Sequence, residues 1–170
     1  MTKKIGKILA VVLVIAVVIS MVAIYYFNFS VKGTFNVTIT DKNNKESLAN
    51  PFLPLNTFEA GETITLSIWV SGNTNPFLTN QISLWANGNG NAINYYFTDI
   101  LGNNISYVTI PSGVSGYSCF LKIETTPTGF LPNGNYQYGT SQGNYTVTVF
   151  GADEYNEHQD SYSFSIVNAK

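Results

Sequence analysis

Two hydrophobic patterns divide this chain. Residues 8–27 form an uncharged apolar run broken only by Ser20. At about 1.5 Å of rise per residue, the run makes a helix of about 30 Å, the thickness of a bilayer's hydrocarbon core. After residue 30 the period changes to two. Phe35, Val37 and Ile39 alternate with Thr34, Asn36, Thr38 and Thr40. Ile64, Leu66, Ile68 and Val70 alternate with Thr63, Thr65, Ser67 and Trp69. Tyr145, Val147 and Val149 alternate with threonines, and Tyr162, Phe164 and Ile166 with serines. Such alternation predicts strands with one face buried and one face wet.

Shorter strands are expected at 81–86, 93–98, 105–110 and 118–124. Turn chemistry falls between them. Asn87-Gly88-Asn89-Gly90-Asn91 suits a hairpin with positive φ angles, and Leu101-Gly102-Asn103-Asn104 and Pro132-Asn133-Gly134 are further turns. Seven or eight short strands, with no long amphipathic helix among them, predict an all-β, two-sheet sandwich. One N-terminal helix precedes it.

Glu59-Ala60-Gly61-Glu62-Thr63-Ile64-Thr65-Leu66 resembles the A–B turn of immunoglobulin-like domains on prokaryotic surface proteins. Leu101-Gly102-Asn103 resembles their polar hairpin turn. Gly143-Asn144-Tyr145-Thr146-Val147-Thr148-Val149 resembles their penultimate strand, with Tyr145 at the tyrosine-corner position. The resemblance covers about residues 33–167 and implies an immunoglobulin-like β-sandwich without the paired core cysteines of antibody domains. It implies no activity.

The apolar run fixes an expected topology. Ile8, Leu13, Val18 and Ile24 would face lipid, and Tyr25 and Tyr26 close the run as an interfacial belt would. Lys3, Lys4 and Lys7 precede it, and the next basic residue is Lys32. By the positive-inside rule, residues 1–7 form a cytoplasmic stub, 8–27 a signal-anchor helix and 28–170 an extracytoplasmic domain. Two other fates are open. A secretory signal would be cut near Ser20, although its apolar region is normally shorter. Lys-Lys-Ile-Gly also resembles a prepilin leader cut after Gly6, yet Lys7 would then begin the mature chain and no Glu follows near its fifth position. All three put the folded part outside the cytoplasm, secreted or filamentous if the N-terminus is processed.

Charge narrows the partners. The chain has no arginine, and the outer part carries 5 lysines (8 less the 3 at the N-terminus) against 10 acids, a net of −5. That excludes nucleic acid, which requires a basic patch. Only 11% of residues are charged, against about 25% in ordinary domains. Asn, Ser, Thr, Gly and Tyr supply the polarity. A neutral polar surface suits an acidic habitat, such as that of an acidophilic archaeon. Codon bias in an A/T-rich genome gives the same composition.

Catalytic chemistry finds little material, and neither an enzyme nor a cofactor is expected. The single histidine, His158, falls in an expected loop between the last two strands. Copper or zinc would need more His or Cys ligands. Asp153, Glu154, Glu157 and Asp160 in the same loop are weak calcium candidates, without EF-hand spacing. The lone Cys119, between apolar residues, reads as a buried small hydrophobe. Alternation turns Lys122 outward with Phe120 and Glu124, against an isopeptide role. Asn-x-Ser/Thr sequons at Asn28, Asn36, Asn104 and Asn144 offer sites for N-linked glycans. Trp69 stands on the polar face of its strand. It is either part of a cross-strand aromatic pair or an exposed patch that binds a partner protein or glycan.

These features predict a membrane-anchored binding or scaffold module of the cell envelope, engaging an S-layer or other surface component. Its layout of one helix and one sandwich is similar to that of archaellum stator subunits. The alternative is self-association as an extracellular filament subunit, pilin- or thread-like. Assembly would run through the helix, or through donor-strand exchange by Phe35, Val37 and Ile39. The segment 41–58, with Pro51 and Pro54, would let that strand swing away.

Overall fold

A computed structural model describes residues 2–29, 34–42, 54–72, 79–90 and 92–168, and within its helix the side chains of residues 11–24. The chain divides into two compact units, Met1–Gly33 and Thr34–Lys170. The first contains α1 (Thr2–Phe29), a helix of 28 residues. Leu13, Val18 and Ile24 are exposed on it, as are the other large apolar side chains described between residues 11 and 24. Ser20 donates its hydroxyl to the Ala16 carbonyl at 2.8 Å, so the run's polar interruption is satisfied inside the helix. Among the described residues no helix is long and apolar enough to cross a membrane. The side chains described, 11–24, are fewer than the about 20 residues a span needs. Those of Ile8, Tyr25, Tyr26 and Asn28 lie outside them.

The second unit is a β-sandwich. One sheet holds β1 (Val37–Ile39), β3 (Thr63–Ser71), β8 (Gly116–Thr125), β5 (Ile93–Thr98) and β6 (Asn104–Ile105), in that spatial order. The other holds β2 (Thr57–Glu59), β12 (Glu157–Val167), β11 (Gly143–Ala152), β4 (Asn80–Gly88) and β7 (Tyr107–Ile110). A small hairpin joins β9 (Gly129–Phe130) to β10 (Tyr136–Gln137) around Pro132-Asn133-Gly134. Period-two alternation explains the layering. Ile64, Leu66, Ile68 and Val70 of β3 and Leu121 and Ile123 of β8 share one buried cluster with Val147 and Val149 of β11 and Phe164 and Ile166 of β12. Each such side chain contributes about 1.5–3 kcal/mol by leaving water. Cys119 is part of this core at 1% exposure, and burial pushes its thiol pKa up to about 12.

The expected tyrosine corner forms. Tyr145 donates its hydroxyl to the Ser141 carbonyl at 2.6 Å, and its ring stacks on Phe164. The 101–104 turn closes a hairpin between β5 and β6. Asp99 holds it by accepting the amides of Leu101 and Asn103, both at 2.8 Å, and Gly102 takes φ +88°. Its carboxyl pKa falls below the ordinary value, first through the side-chain hydrogen bond from Asn103.

Three expectations about elements are corrected. The 87–91 turn does not close a hairpin; it carries the chain from β4 in one sheet to β5 in the other. The single strand expected at 105–110 is two strands, because the chain changes sheets at Ser106, whose carbonyl accepts the Leu84 amide. A continuous strand would turn Ile105 away from Val108 and Ile110; the break lets all three meet the core. The segment 41–58 ends in β2, which runs parallel to β12, while its residues 43–53, Pro51 among them, lie outside the described residues. Asn56 beside it, at φ 59°, accepts the Tyr162 hydroxyl and the Ser165 amide. Phe35, Val37 and Ile39 are 2%, 1% and 3% exposed, and β1 pairs with β3 of its own chain (Val37 opposite Val70). Gly151 admits them, since a Cβ there would collide with the Val37 side chain. In the single chain, the strand named as a possible donor therefore pairs in cis.

Candidate functional site

The outer face of the β2–β12–β11–β4–β7 sheet holds the most developed surface feature among the described residues. Outward positions recur at every second residue of its strands. Pairing brings Gln159, Phe150 and Trp85 into one row across β12, β11 and β4, and Ser161, Thr148 and Asn87 into the next. Trp85 and Phe150 stack with centroids 5.3 Å apart and planes 3° apart. Such offset stacking is worth about 0.5–1.5 kcal/mol beyond the area it buries. Trp85 is nevertheless 40% exposed, and Tyr107 on β7, opposite Ser83, is 53% exposed.

Beside the stack lies a recess of about 400 Å³ lined by Asn87, Gly88, Asn89, Thr146, Thr148 and Phe150. That lies in the size range of small-ligand pockets. Its polar groups are held in place. The Thr146 and Thr148 hydroxyls bond to Ser163 and Ser161 across β12 at 3.1 and 3.0 Å. Asn89 accepts the Thr146 amide at 2.6 Å, which fixes the end of the β4 ladder. β4, β7 and β11 contain no charged residue.

Trp69, the tryptophan singled out from sequence, sits elsewhere. It is half-buried on the outer face of the other sheet, opposite Thr38 and Ser118, and its ring lies against Gly116. It has no aromatic residue across from it on either neighbouring strand. The aromatic pair belongs to Trp85 instead. Period-two parity marks Trp85 as outward between Ile82, Leu84 and Ala86, so that signal was present. Its pairing with Phe150 is not readable locally.

The acidic loop also dissolves. His158 is a strand residue of β12, with its ring packed edge-on against Phe35 at 5.0 Å. Glu157 and Asp160 lie on β12 as well, whereas Asp153 and Glu154 occupy the turn before it. Asp153 accepts the amides of Tyr155 and Asn156 at 2.8 and 2.7 Å and the Asn80 carboxamide at 3.1 Å. Burial alone would raise its pKa, but these hydrogen bonds outweigh burial and bring it below the ordinary value. Asp160 accepts the Ile39 amide at 3.0 Å and pairs with Lys42. Among the described residues no group of three His, Cys, Asp or Glu gathers as metal ligands would.

Asn36, Asn104 and Asn144 are exposed. Asn36 lies just before β1, Asn104 begins β6, where a turn position was expected, and Asn144 accepts the Ser165 hydroxyl at 2.7 Å. Lys122 projects outward, donating to the Thr65 hydroxyl at 2.8 Å and lying 5.9 Å from the Phe120 ring centre.

No family model matches the sequence, and no curated protein matches it. The fold is similar to part of a family 123 glycoside hydrolase from Clostridium perfringens, with TM-score 0.48, 14% identity, and coverage of 80% of this chain and 28% of that one. It is similar to part of the α2-macroglobulin of Escherichia coli, with TM-score 0.46, 7% identity, and coverage of 82% and 17%. It is also similar to the CooA pilin subunit of enterotoxigenic Escherichia coli, with TM-score 0.43, 13% identity, and coverage of 81% and 99%. The chain thus spans under a third of the first two proteins. At these scores the likenesses extend to β-rich folding and carry no argument about function.

Proposed function

We propose that this chain is a membrane-anchored, extracytoplasmic binding or scaffold module of the cell envelope. Its sandwich engages an S-layer or other surface component. The observation that carries the reading is the aromatic outer face of the second sheet, uncharged along β11, β4 and β7, borne on a sandwich that follows a lysine-preceded apolar run. A helix apolar on all sides requires apolar surroundings, and Leu13, Val18 and Ile24 are exposed on α1. The strand order β1–β3–β8–β5 against β2–β12–β11–β4, with a tyrosine corner on β11, favours an immunoglobulin-like sandwich. We assign it no catalytic role: the only histidine packs on Phe35 and the only thiol is buried. The exposed sequons Asn36, Asn104 and Asn144 are proposed glycan acceptors.

The N-terminal peptide mass of the native protein tests the reading, together with its partition between membrane and medium. The expected result is a chain that begins at Met1 or Thr2 and sediments with membranes. A cut after Gly6, with the chain in filaments, overturns the anchor in favour of a filament subunit assembled through its helix. A cut near Ser20 and recovery from the medium overturns it in favour of a secreted module.

A further inference from the structure

We infer that the outer face of the β12–β11–β4–β7 strands binds a neutral oligosaccharide, seated against the Trp85–Phe150 stack with its hydroxyls turned toward Asn87, Thr146 and Thr148. The inference deepens the reading of the sandwich as a binding module and rests on it.

Three observations converge on that ligand class. The first is shape. Phe150 stacks on the indole with centroids 5.3 Å apart and planes 3° apart, which holds the ring, and Trp85 as a whole remains 40% exposed. A pyranose ring has a matching surface, the face lined by its C–H bonds. Burying the two against each other removes apolar area from water at little entropic cost, because the indole is already held.

The second is the hydrogen-bonding inventory of the adjoining recess of about 400 Å³. A sugar hydroxyl both donates and accepts, and its best partners are groups that do the same. Thr146 and Thr148 each spend one bond on a serine of β12, which orients the hydroxyl and leaves further bonding capacity. Asn87 contributes an exposed carboxamide from the same row as Thr148.

The third is charge. β4, β7 and β11 carry none, and the outward charge on β12 is the acid Glu157, in the row of Ala152, Ser83 and Tyr107. An acidic glycan, a phosphate or a nucleic acid finds no counter-charge here, so its desolvation goes uncompensated. A neutral polyol loses nothing by that. Tyr107, 53% exposed at the β7 edge, extends the aromatic surface for a second ring.

The test uses the full chain, produced without glycosylation and held in a detergent that lacks a sugar headgroup. Retention is measured on an array of neutral and acidic oligosaccharides, followed by fluorescence titration with the best neutral one. A Trp69→Phe background leaves Trp85 as the sole indole reporter. We expect neutral oligosaccharides to be retained and acidic ones not. Trp85→Ala and Phe150→Ala should each weaken binding about tenfold or more, while Trp85→Phe keeps a measurable part. Circular dichroism confirms that each variant is folded. Retention of no oligosaccharide by the folded wild type, or unchanged retention by Trp85→Ala, overturns the inference. Trp85-dependent self-association without sugar binding also overturns it, and assigns the face to a second copy. None of these results alters the N-terminal mass, so the anchored reading stands or falls separately.

Discussion

Asp160 offers the sharpest test of how the sandwich is closed. β1 belongs to one sheet and β12 to the other. Asp160 on β12 joins them by accepting the Ile39 amide at 3.0 Å, while Lys42 pairs with it from the solvent side. Burial pushes its carboxyl pKa up. The hydrogen bond from Lys42, the amides of Ile39 and Ser161 and the Lys42 charge push it further down, so the net value lies below the ordinary one. The unfolded chain therefore binds a proton here more readily than the folded chain. The stabilisation is present at neutral pH, above the unfolded value near 3.9, and is lost as pH falls through the folded value. Asp160→Asn keeps the shape and removes the charge. With its side chain 19% exposed, a charge-assisted hydrogen bond at this site is worth about 1–2 kcal/mol. For a domain of this size that corresponds to a fall of about 3–8 °C in Tm. Urea unfolding of wild type and variant, from pH 7 down to pH 2, is the assay. The variant should be weaker at pH 7, and the gap should close below the ordinary carboxylate range. A gap that is absent at pH 7, or that persists unchanged at the lowest pH, would refute the assignment.

Two further substitutions probe the same closure. Tyr145→Phe removes the hydroxyl bonded to Ser141 and should cost about 0.5–1.5 kcal/mol in chemical denaturation with an unchanged urea m-value; no loss would mean that the tyrosine corner is ornamental. Gly151→Ala places a methyl group against Val37, with Ile82 and Phe35 at 3.2 and 3.3 Å, and should cost about 1–3 kcal/mol. Hydrogen exchange should then rise first at the β1 amides. Uniform loss of protection across both sheets would contradict that.

The strands that carry the core were legible because alternation is a local signal. β5 has the expected bounds, and β3, β4, β8, β11 and β12 extend the expected ones by a few residues. β2 escaped notice because three residues parallel to a distant strand leave no period to count. The break at Ser106 has a local signature: Ile105 is out of phase with Val108 and Ile110. The 87–91 segment has hairpin residues, but which sheet receives the next strand depends on packing that no turn motif encodes. The candidate face is half legible. Parity makes both Trp69 and Trp85 outward. Only register, set by strands far apart in sequence, gives Trp85 a stacked partner and a recess and gives Trp69 a threonine, a serine and a glycine.

The single thiol of Cys119 sits at the centre of β8 with its sulfur among the contacts that join the two sheets. A thiol held out of water and kept protonated neither attacks nor is attacked. The sandwich is therefore indifferent to the redox poise of its surroundings, because it has no bridge to lose in a reducing medium and no sulfur to offer in an oxidising one. Two copies cannot be linked through sulfur while they remain folded. Alkylation of this chain at cysteine records an occasion on which the central strands parted, and the molecule keeps a lasting mark of its own opening.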